Sequence, residues 1–399
     1  MQLKDLREQF PALDRKVYGK PLVYLDNAAT AQRPNNVVDL QHRLAQGSNA
    51  NIHRAVHRLA SEATEIYENA REGVRAFLNA NSASEIVFTS GATASINLVA
   101  YSFGEAFVHD GDDIIVSVAE HHSNIVPWQM LCARKGAALK VADIEENGLL
   151  TAEAVEKLIS ERTKIVAISH ISNVLGLVNP VREIVSVCHK HGVPVLVDGA
   201  QGIVHCKVDV QKLGCDFYAF SGHKIYAATG TGVLYGKKEL LDAMPPFMGG
   251  GEMIKSVSFD GTIYADTPTK FEAGTQNVNA VPTLVPALEF ASAYETDPAI
   301  TEFVYRKLTE DKRVILYGTG LEKKIPLFSF AVKGAHHEDL ALILDKMGIA
   351  VRSGQMCAEP LMDRLSVTGL LRASFAPYNT MEEAEYFIES LNKAINILV

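Results

Sequence analysis

Short apolar runs punctuate the middle of the chain: "EIVFTS" (85–90), "DIIVSV" (113–118), "KIVAISH" (164–170), "PVLVDG" (194–199), "FYAFSG" (217–222) and "GVLYG" (232–236). Each is rich in Val, Ile or aromatic residues and stops at small or polar ones, the pattern of a strand buried on both faces. Between them, "TASINLVAYSFGEAF" and "PVREIVSVCHKHG" carry apolar residues at helical spacing, the second opening after Pro180 and closing at Gly192. Continuous apolar strands alternating with helices predict an α/β fold with a mostly parallel sheet covered on both faces.

From residue 281 the pattern changes. "VPTLVPALEFASAYE" reads as a long helical stretch, followed by strand-like "LFSFAVKG", helical "HEDLALILDKMG" and a final helix in "EEAEYFIESLNKAINIL". This is an α+β tail. A chain of 399 residues exceeds the size at which one core stops growing. We therefore expect a large α/β unit over 19–295 and a small C-terminal α+β unit over 296–399, the latter packed with the segment 1–18.

Composition narrows the class. Hydrophobic residues make up 47% and charged ones 21%, as in ordinary globular proteins, and no low-complexity segment or solenoid repeat is present. With 38 Lys and Arg against 47 Asp and Glu, the chain lacks the basic surplus that a nucleic-acid partner demands. No stretch approaches the roughly 20 apolar residues that span a bilayer. The first residues, "MQLKDLREQFPALD", mix charges into their apolar positions, unlike a secretory signal. We expect a cytoplasmic protein with neither a membrane nor a nucleic-acid partner. The five cysteines are scattered and never form a C-x-x-C pair, which argues against a disulfide framework and a zinc site. The adjacent histidine pairs are poor chelates, and no metal is expected.

In open α/β sheets ligands gather beyond the carboxyl ends of the strands. The residues just after the apolar runs are Ser90–Thr93, Glu120–His122, His170–Asn173, Asp198 with Gln201, and Ser221–Lys224. Hydroxyls, a carboxylate, imidazoles and one amine thus share an edge. "TSGATASINLVA" puts Gly91 and small residues at a helix start, where free N–H groups favour an anion, although an ordinary N-cap reads the same way. Neither G-x-x-x-x-G-K nor G-x-G-x-x-G precedes a helix, so no nucleotide fingerprint is present. Asp198 could cap a helix or hold a heteroaromatic ring nitrogen protonated. In the second case Lys224 gains a purpose, since a desolvated, neutral lysine condenses with the aldehyde of pyridoxal phosphate. Together these groups describe a pyridoxal phosphate pocket.

The motifs "YLDNAAT", "EHHSNIVPWQ", "HISNVLG", "VLVDGAQG", "DFYAFSGHK", "FEAGTQN", "VRSGQMCAEP" and "LRASFAPYN" extend this reading over nearly the whole chain. In that order and spacing they resemble the pyridoxal phosphate-dependent cysteine desulfurases, most closely the group II (SufS-type) branch with the selenocysteine lyases. The resemblance implies an aspartate aminotransferase-like (fold type I) homodimer. It implies that Lys224 carries the cofactor, Asp198 pairs with the pyridine nitrogen, His121 stacks on the ring and Gln201 approaches the phenolic oxygen. Ala92, Thr93, Ser221, His223 and, from the partner subunit, Thr275 would hold the phosphate. Asn173, Arg372 and Arg352 would serve substrate binding. Cys357 would take sulfur from L-cysteine as a persulfide, releasing L-alanine, with His121 a candidate acid. A SufE- or SufU-type acceptor or scaffold protein would then receive the sulfur for iron–sulfur assembly.

The other four cysteines read as buried structural thiols, whereas the polar neighbours of Cys357 and the nearby Arg352 predict an accessible thiol with thiolate character. The chain departs from the family pattern at "SGATA" (90–94), where Ala92 and Ala94 stand for a hydroxyl and a carboxylate, and a rewired phosphate anchor is expected. Two alternatives stay open: a selenocysteine lyase or other β-eliminating enzyme of the same fold, and a non-catalytic scaffold that binds a sulfur carrier.

Overall fold

The computed structural model describes residues 6–399; the first five residues of the segment expected beside the small unit lie outside them. The strands of the two main sheets are numbered here in chain order. The large sheet holds β1 (Ile86–Thr89), β2 (Asp113–Ser117), β3 (Ala138–Ala142), β4 (Thr163–Ser169), β5 (Val195–Asp198), β6 (Phe217–Ser221) and β7 (Gly232–Gly236). Its order is β1-β7-β6-β5-β4-β2-β3, with β2 to β6 mutually parallel and β7 antiparallel to both its neighbours.

Side chains of these strands alternate between two cores. Ile115, Val166, Ile168, Val195, Val197, Tyr218 and Phe220 point to one, and Ile114, Val116, Ile165, Ala167, Leu196, Phe217 and Ala219 to the other. That two-sided burial is why the sequence shows continuous apolar runs instead of alternation. The exception is β3, an edge strand with mostly half-exposed side chains and Lys140 within it, whose mixed pattern left it invisible to the apolar-run criterion.

Helix α1 (Ala92–Phe107) follows β1 and packs on one face, and α2 (Val181–Lys190) on the other. Close backbone approach ties β7 to the start of α1. A Cβ on Gly232 would lie 2.3 Å from the Gly91 Cα, and Gly91 itself sits at φ +153°, ψ 173°, a conformation almost confined to glycine.

A second, antiparallel sheet is built from β8 (Val314–Tyr317), β9 (Leu327–Val332), β10 (Arg352–Gly354) and β11 (Leu370–Ser374), in the order β8-β9-β11-β10. It packs with α3 (Pro298–Glu310), α4 (His337–Lys346) and α5 (Met381–Leu398) around a third core. Val23 and Leu25 join that core, and Val23–Tyr24 pair in parallel with Ile349–Ala350. The N-terminal segment bridges the two halves: Leu6, Phe10 and Leu13 are buried in the large core, while Arg7 pairs with Glu383 of α5 at 2.7 Å. No helix of the described residues is long and apolar enough to cross a membrane.

Candidate active site

The carboxyl ends of the parallel strands open on a cavity of about 240 Å³ where the edge of the large sheet meets residues of the small one. Its wall includes Ala92, Thr93, His121, Asn173, Asp198, Ser221, His223, Lys224, Arg352, Cys357 and Arg372. Eleven of the thirteen site residues proposed from the sequence therefore converge. Gln201 and Thr275 are the two that do not line it.

Gln201 is buried behind the wall, where its Nε2 donates to the Ala28 carbonyl at 2.8 Å. That bond holds the Ala28–Ala29 wall and takes one amide N–H away from any ligand. Thr275 is exposed, outside the cavity of its own chain. His170, noted at the end of β4, is turned into the core, its Nδ1 3.0 Å from the Tyr218 hydroxyl. His122 faces the loop that carries Cys357.

Asp198 closes β5, its Oδ1 accepting from the Ala200 N–H at 2.9 Å. Burial raises its carboxyl pKa, and the Lys224 ammonium works against that rise. The same burial lowers the Lys224 amine, with Asp198 opposing and Arg372 and Arg352 adding to the fall. The amine is thus pushed toward the neutral form that a nucleophile or base requires.

His121 is held down to about 4, first by burial and then by the charge of Lys224. Its Nδ1 accepts from the Ser123 N–H at 3.1 Å, with the Ser123 hydroxyl at 2.8 Å. The neutral ring therefore carries its proton on Nε2. His223 is likewise lowered to about 4 by burial, and its Nδ1 lies 3.2 Å from the Thr30 hydroxyl.

At the start of α1 the Ser221 hydroxyl accepts from the Ala92 N–H at 2.7 Å, and Thr93 is exposed beside it. The remaining first-turn N–H groups of this 16-residue helix form a setting for an anion. The substrate side has its own unmet demand. Arg372 donates from one terminal nitrogen to the Asn173 carbonyl (2.8 Å) and from the other to Asp26 (3.2 Å), while its buried Nε has no partner among the described residues. Arg352 stands 3.6 Å from the same Asp26. A guanidinium with an unused donor on a cavity wall suits a carboxylate ligand.

Cys357 is exposed, whereas Cys132, Cys188 and Cys215 are buried and Cys206 is half-buried. Burial pushes Cys188 and Cys215 up to about 12 and Cys206 to about 11, which leaves them poor nucleophiles.

Several site residues escaped the sequence reading. Asp26, Ala28 and Ala29 lie in the quoted "YLDNAAT", and Ser123 in "EHHSNIVPWQ", so the signal was present but unassigned. Glu120, named at its strand end, was given no role. Fully buried, it is raised to about 7 by desolvation and is held by the Ser117 hydroxyl (2.5 Å) and the Asn124 amide (2.8 Å) under the turn that carries His121.

Residues 23–387 match the class-V aminotransferase family. The chain belongs to that family. Among its relatives is a cysteine desulfurase of Enterobacter sp. (strain 638), 46% identical over 99% of each chain. A crystal structure of the Escherichia coli cysteine desulfurase CsdA, in an S-sulfonic acid form, superposes with a TM-score of 0.92 at 41% identity, covering 100% of both chains. The apo cysteine desulfurase of Thermococcus onnurineus NA1 gives a TM-score of 0.94 at 37% identity, covering 100% of this chain and 99% of the other.

Proposed function

We propose that this chain is a pyridoxal phosphate-dependent cysteine desulfurase, which converts L-cysteine to L-alanine and lodges the sulfur on Cys357 as a persulfide. One observation carries the reading. A half-buried amine, a buried carboxylate, an arginine with an unpaired nitrogen and an exposed thiol line a single cavity in a chain 46% identical to a cysteine desulfurase. In this reading the large unit is 19–295 and the small one 296–399.

The residues fit the cofactor. Lys224 would hold it covalently, Asp198 would keep its ring nitrogen protonated and His121 would lie against its ring. The start of α1 with Thr93, Ser221 and His223 would take its phosphate, joined by Thr275 of the partner subunit. When bound, the cofactor withdraws electrons from the substrate and loosens bonds next to the carbon that bears its nitrogen.

The chain's own groups do the rest. Arg372, whose guanidinium belongs to the cavity wall, would bind the substrate carboxylate, helped by Asn173 and Arg352. The Lys224 amine, freed once the substrate's own amine takes its place on the cofactor and pushed toward the neutral form by burial, would remove the α proton. Cys357, as thiolate, attacks the substrate sulfur: an S–S bond forms, the C–S bond breaks, and its electron pair stays with the β carbon. That carbon takes up a proton, with His121 a candidate acid, and alanine leaves. The sulfur moves with no outside oxidant, because the carbon is reduced as the persulfide sulfur is oxidised.

Exposure of Cys357 supports onward delivery to a protein acceptor of SufE or SufU type for iron–sulfur assembly, and exposed Thr275 supports a homodimer that completes the phosphate site. The absence of a membrane-spanning helix among the described residues is compatible with work in the cytoplasm. The test is mass spectrometry of the holoenzyme after brief exposure to cysteine. One added sulfur atom on Cys357 is expected; sulfur on another residue, or sulfide release at full rate by Cys357→Ala, would overturn the assignment. Comparing that variant on cysteine and selenocysteine separates a desulfurase from a selenocysteine lyase, for which the thiol would be dispensable.

A further inference from the structure

Met356 and Cys357 are consecutive residues at φ +55°, neither of them glycine or asparagine. The Ala358 N–H donates to the Gln355 carbonyl at 3.0 Å, so Gln355–Ala358 closes a tight turn with both central residues in the left-handed region. L-residues with a Cβ resist this conformation, and it persists only where surrounding structure over-determines it. The two residues differ in exposure: both border the cavity, but Met356 is 4% exposed and packs on the large core, while Cys357 is exposed.

The over-determination comes from outside the loop. The Asn173 Nδ2 donates to the Met356 carbonyl at 2.8 Å, and the His122 backbone N–H donates to the Cys357 carbonyl at 2.7 Å. The His122 ring then reaches past the turn, its Nε2 accepting from the Glu359 N–H at 3.0 Å. Glu359 is the first residue of the helix that follows, Glu359–Arg364, and its N–H is one of the donors that such a start leaves without an intrahelical partner. The neighbouring imidazoles thus divide the work: His121 lines the cavity, and His122 holds the turn that aims the thiol.

We propose that His122 is a positioning residue for sulfur transfer: its ring, bonded to the Glu359 N–H, keeps the strained Gln355–Ala358 turn in the form that points Cys357 Sγ into the cavity. The inference rests on Cys357 being the nucleophile. Without the ring acceptor the turn relaxes toward unstrained dihedrals, and the thiol remains present but misdirected. A displacement of about 1 Å in a reacting group costs up to about a hundredfold in rate.

The experiment compares His122→Phe, which keeps a ring and removes the acceptor, with His122→Gln, whose Oε1 can accept the same N–H. In the holoenzyme, His122→Phe is expected to keep the cofactor absorbance and a KM for cysteine within about twofold, while kcat for sulfide release falls tenfold or more. Alkylation of Cys357 by iodoacetamide, a reagent indifferent to aim, should stay at least as fast as in the wild type. His122→Gln should recover kcat to within about threefold. A His122→Phe enzyme with wild-type kcat would overturn the proposal, and so would equal losses in both variants. Should His122→Phe not fold, Glu359→Pro removes the donor from the other side and carries the same expectation. Cys357→Ala run in parallel separates the two readings: full activity there defeats the nucleophile assignment itself, whereas an inactive Cys357→Ala beside an unaffected His122→Phe defeats only the role of His122.

Discussion

The two walls of the cavity are made in opposite ways. The sheet side, at the ends of β5 and β6, is buried, and its charged groups carry shifted proton affinities because water is excluded. The facing turn is exposed at Cys357, and its left-handed backbone relies on hydrogen bonds from His122 and Asn173, far away in sequence. The difference follows from the chemistry proposed. A lysine becomes a useful base only when desolvation favours its neutral form, while a thiol that must receive sulfur and pass it on needs access from both cavity and solvent. Burial therefore sets up one wall, and borrowed hydrogen bonds the other.

The contrast can be broken most severely from the buried side. We expect Lys224→Ala to lose the cofactor absorbance and at least about a thousandfold in kcat, within the range for a positioned acid–base group; retained absorbance would remove Lys224 from the site. Gly232→Ala, which drives a Cβ against the Gly91 backbone, should cost about 3 kcal/mol by urea denaturation, the upper part of the usual overpacking penalty.

Acid should act on the same side. His121, His170 and His223 fall to about 4 in the folded chain from an ordinary 6.5, so the unfolded chain takes up protons first as pH drops. Their contribution is complete above pH 6.5 and is lost toward pH 4, and Tm should fall across that window. Glu120 acts with the opposite sign. Raised from 4.5 to about 7, it favours the fold fully below 4.5 and loses that contribution as pH rises through 7. Glu120→Gln should accordingly gain stability relative to the wild type on going from about pH 5 to about pH 8. A parallel pH profile for both proteins would contradict the burial of this carboxyl as the cause.

The smallest effect belongs to the exposed turn. Cys357→Gly should be more stable than Cys357→Ala by about 1 kcal/mol, since glycine enters the left-handed region without strain. Equal stabilities would mean that position 357 is not held there in solution.

Local pattern carried most of the large sheet. Six runs read as strands fall within a residue or two of β1, β2, β4, β5, β6 and β7, because burial on both faces writes the same apolar signal into each. The half-exposed edge strand β3 left no such signal.

The site divides along the same line. That hydroxyls, a carboxylate, imidazoles and an amine follow successive strands is a property of the sequence, since a parallel sheet delivers strand ends to one edge. How each polar group is used depends on partners that no local window contains. Gln201 spends its amide on Ala28, Asn173 turns its own toward Met356, and Arg372 keeps one donor free because only two of its nitrogens meet acceptors. The sequence alone determined which chemical groups follow the strand ends, because strand and helix periodicities are local. The tertiary structure alone decided which of them stay free to act, because hydrogen bonds and burial are settled by residues often 150 or more positions apart.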